Sequence, residues 1–193
     1  SSGKMGFALA QSALDRGATV ILITAPAALP TPVGAERVEV ETAEDMRRAV
    51  MEALPASDIL AMAAAVADFR PVTFTPQKIK KGAESIALTL ERTADILEEV
   101  SAWRQAHGRP ALLIGFAAET ENLLENARAK LQRKQLDLIV ANDITAPESG
   151  FAVDTNRVTL IARDGTEETL PLLNKEEVAA HVWDRAAEML WEG

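Results

Sequence analysis

Three short apolar runs, Asp58 to Ala64, Ala111 to Ile114 and Asp137 to Val140, recur along the chain between stretches of helical periodicity. A short apolar run without alternation is covered on both faces, as a parallel strand is when helices flank its sheet. None of the three continues in bulky residues. The first ends in Met62, Ala63, Ala64, Ala65, Val66, Ala67 and Asp68, the second in Gly115-Phe116-Ala117-Ala118-Glu119-Thr120, and the third in Asn142-Asp143. Ligands of open parallel sheets lie outside the carboxyl ends of strands. The chain therefore reads as an α/β domain, Rossmann-like and doubly wound around a mainly parallel sheet, with its site at those strand ends.

The rest of the chain fits that frame. Ser1-Ser2-Gly3-Lys4-Met5-Gly6 leads into a helical pattern through Phe7, Leu9, Ala10, Ala13 and Leu14 that stops at Gly17, and a strand is expected from Thr19 to Thr24. A helix feeding a parallel strand normally has a strand before it, so residues 1–193 are expected to be one domain lacking its N-terminal strand and loop. Gly3-Lys4 lacks the other elements of a P-loop. Val38 and Val40 mark a short strand, and Thr42 with Asp45 forms a capping box for a helix over Ala43 to Leu54. Phe69-Arg70-Pro71 breaks the next strand, and a mobile loop is expected to about Glu84. Ile86, Leu88 and Leu90 alternate as a strand, followed by a helix over Ala94 to Ala106 with Thr93 as its cap and Gly108 as its stop. A further helix covers Asn122 to Lys134. A small antiparallel hairpin, Val158 to Ala162 and Glu168 to Leu170, turns at Asp164-Gly165. A last helix from Lys175 to Leu190, capped by Asn174, buries Val178, Val182, Ala186 and Met189.

The charged residues near the strand ends suggest a ligand. Asp68 precedes the lysines Lys78, Lys80 and Lys81, and Lys130 and Lys134 share one face of a helix that also carries Arg128 and Arg133. A carboxylate beside several ammonium groups suits a molecule with both hydroxyls and phosphates, which is a nucleotide. The net charge of -9 argues against broad nucleic-acid binding, so these lysines act locally. No apolar run approaches the roughly 18 residues of a membrane span. With no cysteine there is neither a disulfide nor a thiolate metal site, and the absence of a signal-peptide pattern points to the cytoplasm. His107 and His181 are isolated and read as ordinary helix residues. Asp68 alone reads equally well as a turn cap. Two other readings stay open: a dinucleotide-binding oxidoreductase or sensor, for which no G-x-G-x-x-G is present, and a non-catalytic nucleotide-binding fragment.

Taken in order, SSGKMG at 1–6, AAVADFRP at 64–71, KIKK at 78–81, GFAAET at 115–120, the helix ending at Lys130 to Lys134, and LIVAND at 138–143 resemble bacterial phosphopantothenoylcysteine synthetase. This is the ligase half of a bifunctional coenzyme A biosynthesis protein, and the resemblance spans almost the whole chain. It implies an enzyme that activates 4'-phosphopantothenate with CTP as an acyl-cytidylate and couples it to cysteine, with Mg2+ as divalent cation. It implies Lys78 as a catalytic residue on a flap over the triphosphate. Met62, Ala63, Ala64, Ala65 and Asp68 would contact the nucleotide, Ala94, Asp95, Ile96 and Leu97 would supply a helix N-terminus, Phe116 would pack on the nucleotide, and Lys130 and Lys134 would complete the pocket. Ser1, Ser2, Gly3 and Lys4 would bind substrate. The resemblance also implies a homodimer and association with a flavin-dependent decarboxylase domain, and neither nucleic acid nor membrane as a partner. Thr93-Ala94 stands where relatives often have Asn-Pro, and the asparagine that the family carries just before SSGKMG is not in this sequence.

Overall fold

The computed structural model describes residues 2–73, 87–119, 122–143 and 155–192. Helix α1 (Lys4–Asp15) enters through Gly3, whose φ of 76° is left-handed backbone that glycine adopts without penalty. It feeds β1 (Ile21–Thr24), and β2 (Glu36–Glu39) follows in parallel register, Ile21 opposite Glu36. Helix α2 (Ala43–Ala53) opens on the expected capping box: Thr42 Oγ1 accepts the Asp45 N–H at 3.0 Å while the Asp45 carboxylate accepts the Thr42 N–H at 3.2 Å. A single 3-10 turn, Leu54–Ala56, leads to β3 (Ile59–Met62).

Next come β4 (Phe69–Pro71), β5 (Leu90–Arg92), α3 (Ile96–His107), β6 (Leu112–Glu119), α4 (Leu123–Arg133) and β7 (Leu138–Asp143). The chain ends with β8 (Thr155–Ala162), β9 (Glu167–Thr169), β10 (Leu173–Asn174) and α5 (Lys175–Glu192). The main sheet has the order β10-β8-β7-β6-β3, with β9 on β8; β3, β6 and β7 are parallel, and β8 runs antiparallel to β7. The expected hairpin is present, and its first strand is a buried member of the sheet, Val158 being 1 % and Leu160 2 % exposed. Asn174 caps α5, its Oδ1 accepting the Glu177 N–H at 2.8 Å.

Strand alternation divides the core in two. On one face, Leu113, Ala117, Ile139 and Ala141 pack with Met46 and Val50 of α2, Ile96 and Val100 of α3, and Ala127 and Leu131 of α4. On the other, Ile114, Leu138 and Val140 pack with Ala8 and Leu9 of α1 and Val178 and Val182 of α5. Helices on both faces of a mainly parallel sheet make this the doubly wound α/β fold. Among the described residues no helix is long and apolar enough to cross a membrane.

Four local expectations are corrected. Residues 69–71, expected as loop, pair antiparallel with 90–92, so the chain leaves and re-enters through a two-stranded ribbon. The cap of α3 is Asp95 and not Thr93, because the Thr93 hydroxyl is used in a tertiary bond. Strand β6 runs on through Gly115 to Glu119, since β7 provides a ladder along its whole second half. Ile59, Leu60 and Ala61 of β3 are half-buried and not buried; among the described residues β3 has β6 as its only strand neighbour. Lys78, Lys80 and Lys81 fall outside the described residues, as do Ser1 and Thr120.

Candidate functional site

Because β3, β6 and β7 are parallel, their carboxyl ends open on one side of the sheet. Met62 closes β3 at 9 % exposure. Ala63 behind it is half-buried, and Ala64, Ala65 and Asp68 are exposed. These methyl groups leave the strand end unobstructed. Thr93 fixes the floor: its hydroxyl donates to the Ala67 carbonyl at 2.6 Å and its N–H to the Asp68 carbonyl at 3.0 Å. The residue before Ala94 is thereby tied to the segment that leads from β3 into β4.

The N-terminus of α3 follows directly. Ala94 is exposed, and Asp95 caps the helix by accepting the Glu98 N–H at 3.2 Å. Ile96 and Leu97 are 4 % and 8 % exposed, so only their backbone can face a ligand. The positive end of the helix dipole favours an anion here.

Lys134, the residue that closes α4, is 5 % exposed and reaches the start of α3. Its ammonium is ion-paired with Asp95 and, at 2.5 Å, with Glu98. Burial works against its charge, but the hydrogen bonds it donates to both carboxylates prevail and hold its pKa above the usual lysine value. For Asp95, burial raises the pKa, but the Lys134 hydrogen bond, the Glu98 N–H and the nearby charges of Lys134 and Arg133 together bring it below the usual value. Ser101 adds a further tie, donating from Oγ to the Lys134 carbonyl at 2.6 Å. Lys130 Nζ donates to the Phe116 carbonyl at 2.7 Å, which brings a cation to the end half of β6.

The expected residues thus fall into two groups. Asp95, Lys130 and Lys134 belong to the α3–α4 side of the sheet. Phe116 packs on the opposite side, against the α1–α5 core, as Met5 and Ala63 also do, and Ser2 and Gly3 lead there into α1 at Lys4. Met62 to Asp68 lies between them. Arg128 leaves the basic set, being paired with Glu167 at 2.6 Å. A depression of about 540 Å³ between α4 and the β8–β9 hairpin lies away from the strand ends, with the Arg128–Glu167 pair on its rim. His107 stacks on Trp103 with ring centroids 3.7 Å apart, and His181 is exposed. Among the described residues no three His, Asp or Glu side chains are grouped as a protein metal cage would be.

Sequence reasoning missed Thr93 as the tie to the segment between β3 and β4, and Glu98 as the second partner of Lys134. Glu98 carried a signal, since Asp95-x-x-Glu98 is an acidic capping pattern. Thr93 carried none beyond its type.

Fold and strand-end geometry define a doubly wound α/β domain whose strand ends gather the N-terminus of α3 and the side chains of Lys130 and Lys134. Within that class, the chain belongs to the family of the DNA/pantothenate metabolism flavoprotein C-terminal domain, whose family model matches residues 1–190. It is 45 % identical over 190 residues to the coenzyme A biosynthesis bifunctional protein CoaBC of Bacillus subtilis (strain 168), covering 98 % of this chain and 46 % of that protein. With CoaBC of Escherichia coli (strain K12) the identity is 45 % over 179 residues, or 91 % of this chain and 43 % of that one. The chain therefore spans less than half the length of each of these two proteins. A crystal structure of the C-terminal domain of CoaBC superposes with a TM-score of 0.83 at 39 % identity, covering 100 % of this chain and 85 % of that one. The family is the one to which the six motifs pointed.

Proposed function

We propose that this chain is the ligase unit of coenzyme A biosynthesis, a cytoplasmic phosphopantothenoylcysteine synthetase that uses CTP. One observation carries the reading: the chain is 45 % identical over 98 % of its length to a protein named for coenzyme A biosynthesis. In the first step a carboxylate oxygen of 4'-phosphopantothenate attacks the α-phosphorus of CTP, and the bond to pyrophosphate breaks. In the second, the cysteine amine attacks the acyl carbon of the cytidylate and CMP leaves.

A carboxylate approaching a triphosphate is repelled unless its charge is neutralised, and the strand ends supply the means. Met62, Ala63, Ala64 and Ala65 form a floor without bulk; the α3 N-terminus at Ala94 to Leu97 faces the phosphates; Lys130 and Lys134 contribute positive charge. Phe116 borders the same opening from the α1 side. Ser1 to Lys4 would receive the acid substrate at the start of α1. Lys78, assigned by resemblance, would bring a further cation to the triphosphate. Mg2+ fits as a partner of the phosphates, because it is normally held by one or two carboxylates plus substrate oxygens, and Asp68 offers an exposed carboxylate at the strand end. When bound, it would neutralise developing phosphate charge.

The homodimer expectation has support in the β4–β5 ribbon. Phe69 is 51 % and Leu90 53 % exposed, and the register places both on one face of the ribbon together with Pro71. An apolar face of this kind on a thin ribbon suits a second copy of the chain. The longer bifunctional relatives suggest association with a flavin-dependent decarboxylase domain. We infer one domain over residues 1–193.

The test is pyrophosphate release from CTP, ATP or NAD with Mg2+ and 4'-phosphopantothenate, followed by cysteine-dependent release of CMP. CTP is expected to be used and NAD ignored, and tighter calorimetric binding of NAD than of CTP would overturn the reading. Lys78→Ala is expected to abolish pyrophosphate release while leaving the fold intact.

A further inference from the structure

The proline-marked loop between β1 and β2 is held in place by one side chain. Arg37 of β2 donates from Nη1 to the Leu29 carbonyl at 3.2 Å and to Thr31 Oγ1 at 3.3 Å, and from Nη2 to the Ala27 carbonyl at 3.3 Å. Nη2 also meets Glu39 at 2.6 Å. The guanidinium lies over the Phe7 ring, 5.6 Å from its centroid. Its Nε is buried without a hydrogen-bond partner, so the side chain forgoes one bond to keep its terminal nitrogens on the loop. Pro26, Pro30 and Pro32 cannot donate backbone hydrogen bonds, which leaves the loop poor in internal ties and dependent on an outside donor.

Two of the groups that Arg37 engages, the Phe7 ring and Ala27, lie beside the entry of α1. A Cβ at Gly3 would meet the Phe7 ring at 3.7 Å and the Ala27 methyl at 3.8 Å. Phe7 in turn donates its N–H to the Gly3 carbonyl at 3.1 Å, closing the first turn. A displacement of the guanidinium therefore moves two neighbours of Gly3 together.

We infer that the loop over residues 25–34 is one wall of the acid-substrate subsite and that Arg37 is a positioning residue for it. This rests on the reading of Ser2 to Lys4 as the place where the anionic acid substrate docks. Arg37 does not touch the substrate; it sets the loop and the first turn of α1 against one another, and so shapes the acid side while leaving the nucleotide side, built on α3 and α4, unaffected.

The test uses the full chain with Arg37→Met and Arg37→Lys. In hydrogen exchange without ligand, the Phe7 amide and the loop amides are expected to exchange at least about tenfold faster in Arg37→Met, and the Glu99 amide of α3 at the wild-type rate. A Phe7 amide that keeps its wild-type protection while the loop loosens would overturn the coupling. In steady state, the KM for 4'-phosphopantothenate is expected to rise about tenfold with the KM for CTP within about twofold of wild type, and Arg37→Lys is expected to fall between. An equal rise in both KM values, or a loss of kcat alone, would refute the role as a wall. Absence of turnover in the wild-type protein would instead defeat the functional reading, and the exchange comparison would still decide whether Arg37 couples the loop to α1.

Discussion

Asp95 and Lys134 join the start of one helix to the end of another: the carboxylate that caps α3 is ion-paired with the buried ammonium that closes α4. Each charge stands at the helix end where the dipole favours it, an anion at an N-terminus and a cation at a C-terminus. A phosphate arriving at α3 finds Lys134 already engaged by Asp95 and Glu98. On the proposed reading, binding there would be an exchange of partners for one ammonium.

Removing the two partners has unequal consequences. Asp95→Ala deletes a helix cap and leaves a buried ammonium with Glu98 alone, and is expected to cost about 2 kcal/mol. Lys134→Met fills the same space without a charge to desolvate and leaves two carboxylates that water reaches, so it is expected to stay within about 1 kcal/mol of wild type. Urea denaturation of both variants checks the order, and a larger loss for Lys134→Met would contradict it.

The pair also fixes a pH window. The folded pKa of Asp95 is depressed, so its contribution is present above the unfolded carboxylate value and is lost as pH falls through the lower folded one. The folded pKa of Lys134 is raised, so its contribution is complete below the unfolded lysine value and is lost as pH rises through the higher folded one. Between the reference values of 3.8 and 10.5 the pair is expected to be insensitive to pH. Comparison of denaturation in wild type and Asp95→Asn should show their difference shrinking in acid below that window and again in alkali above it.

A second buried ionic group braces the opposite end of the strands. Asp137, 6 % exposed, accepts from Arg104 at 2.6 and 3.0 Å, from the Leu113 N–H at 2.7 Å, and is paired with Arg163 at 3.1 Å. Asp137→Ala leaves a strand N–H and two guanidinium groups without this acceptor and is expected to cost about 3–5 kcal/mol, measurable as a lowered urea midpoint. A loss below about 1 kcal/mol would mean that water replaces the carboxylate.

At Gly115 a Cβ would stand 2.5 Å from Leu136 Cδ1, and Leu136 is fully buried. Gly115→Ala is expected to destabilise by about 1–3 kcal/mol through overpacking. Gly115→Ala combined with Leu136→Ala should recover part of that loss, a coupling that a double-mutant cycle would measure.

Much of the fold could be read because its signals are local. The Thr42–Asp45 box, the Gly108 stop and the Asn174 cap are each decided within a few residues, and each is found where the chain indicates it. Three apolar runs likewise announced parallel strands. Tertiary bonds decided the rest. Thr93 and Asp95 are both good capping residues, and only the Ala67 carbonyl, from a distant part of the chain, diverts the first and leaves α3 to the second. Gly115 to Ala118 look unlike a strand until β7 lies beside them. Lys134 reads as one of a surface pair with Lys130, whereas its burial depends on carboxylates from another helix. The strand-end floor was visible for the opposite reason, since the alanines after Met62 are adjacent in sequence.

The two bonds made by Thr93 bear on the energetics of ligand capture. They fasten the loop beyond Met62 to the approach of α3, joining surfaces from separate stretches of chain before any ligand arrives. The conformational entropy of bringing those surfaces together is lost during folding, so association need not supply it again. A nucleotide docking here would meet a preset angle between floor and helix, and its affinity would depend on the fit to that angle.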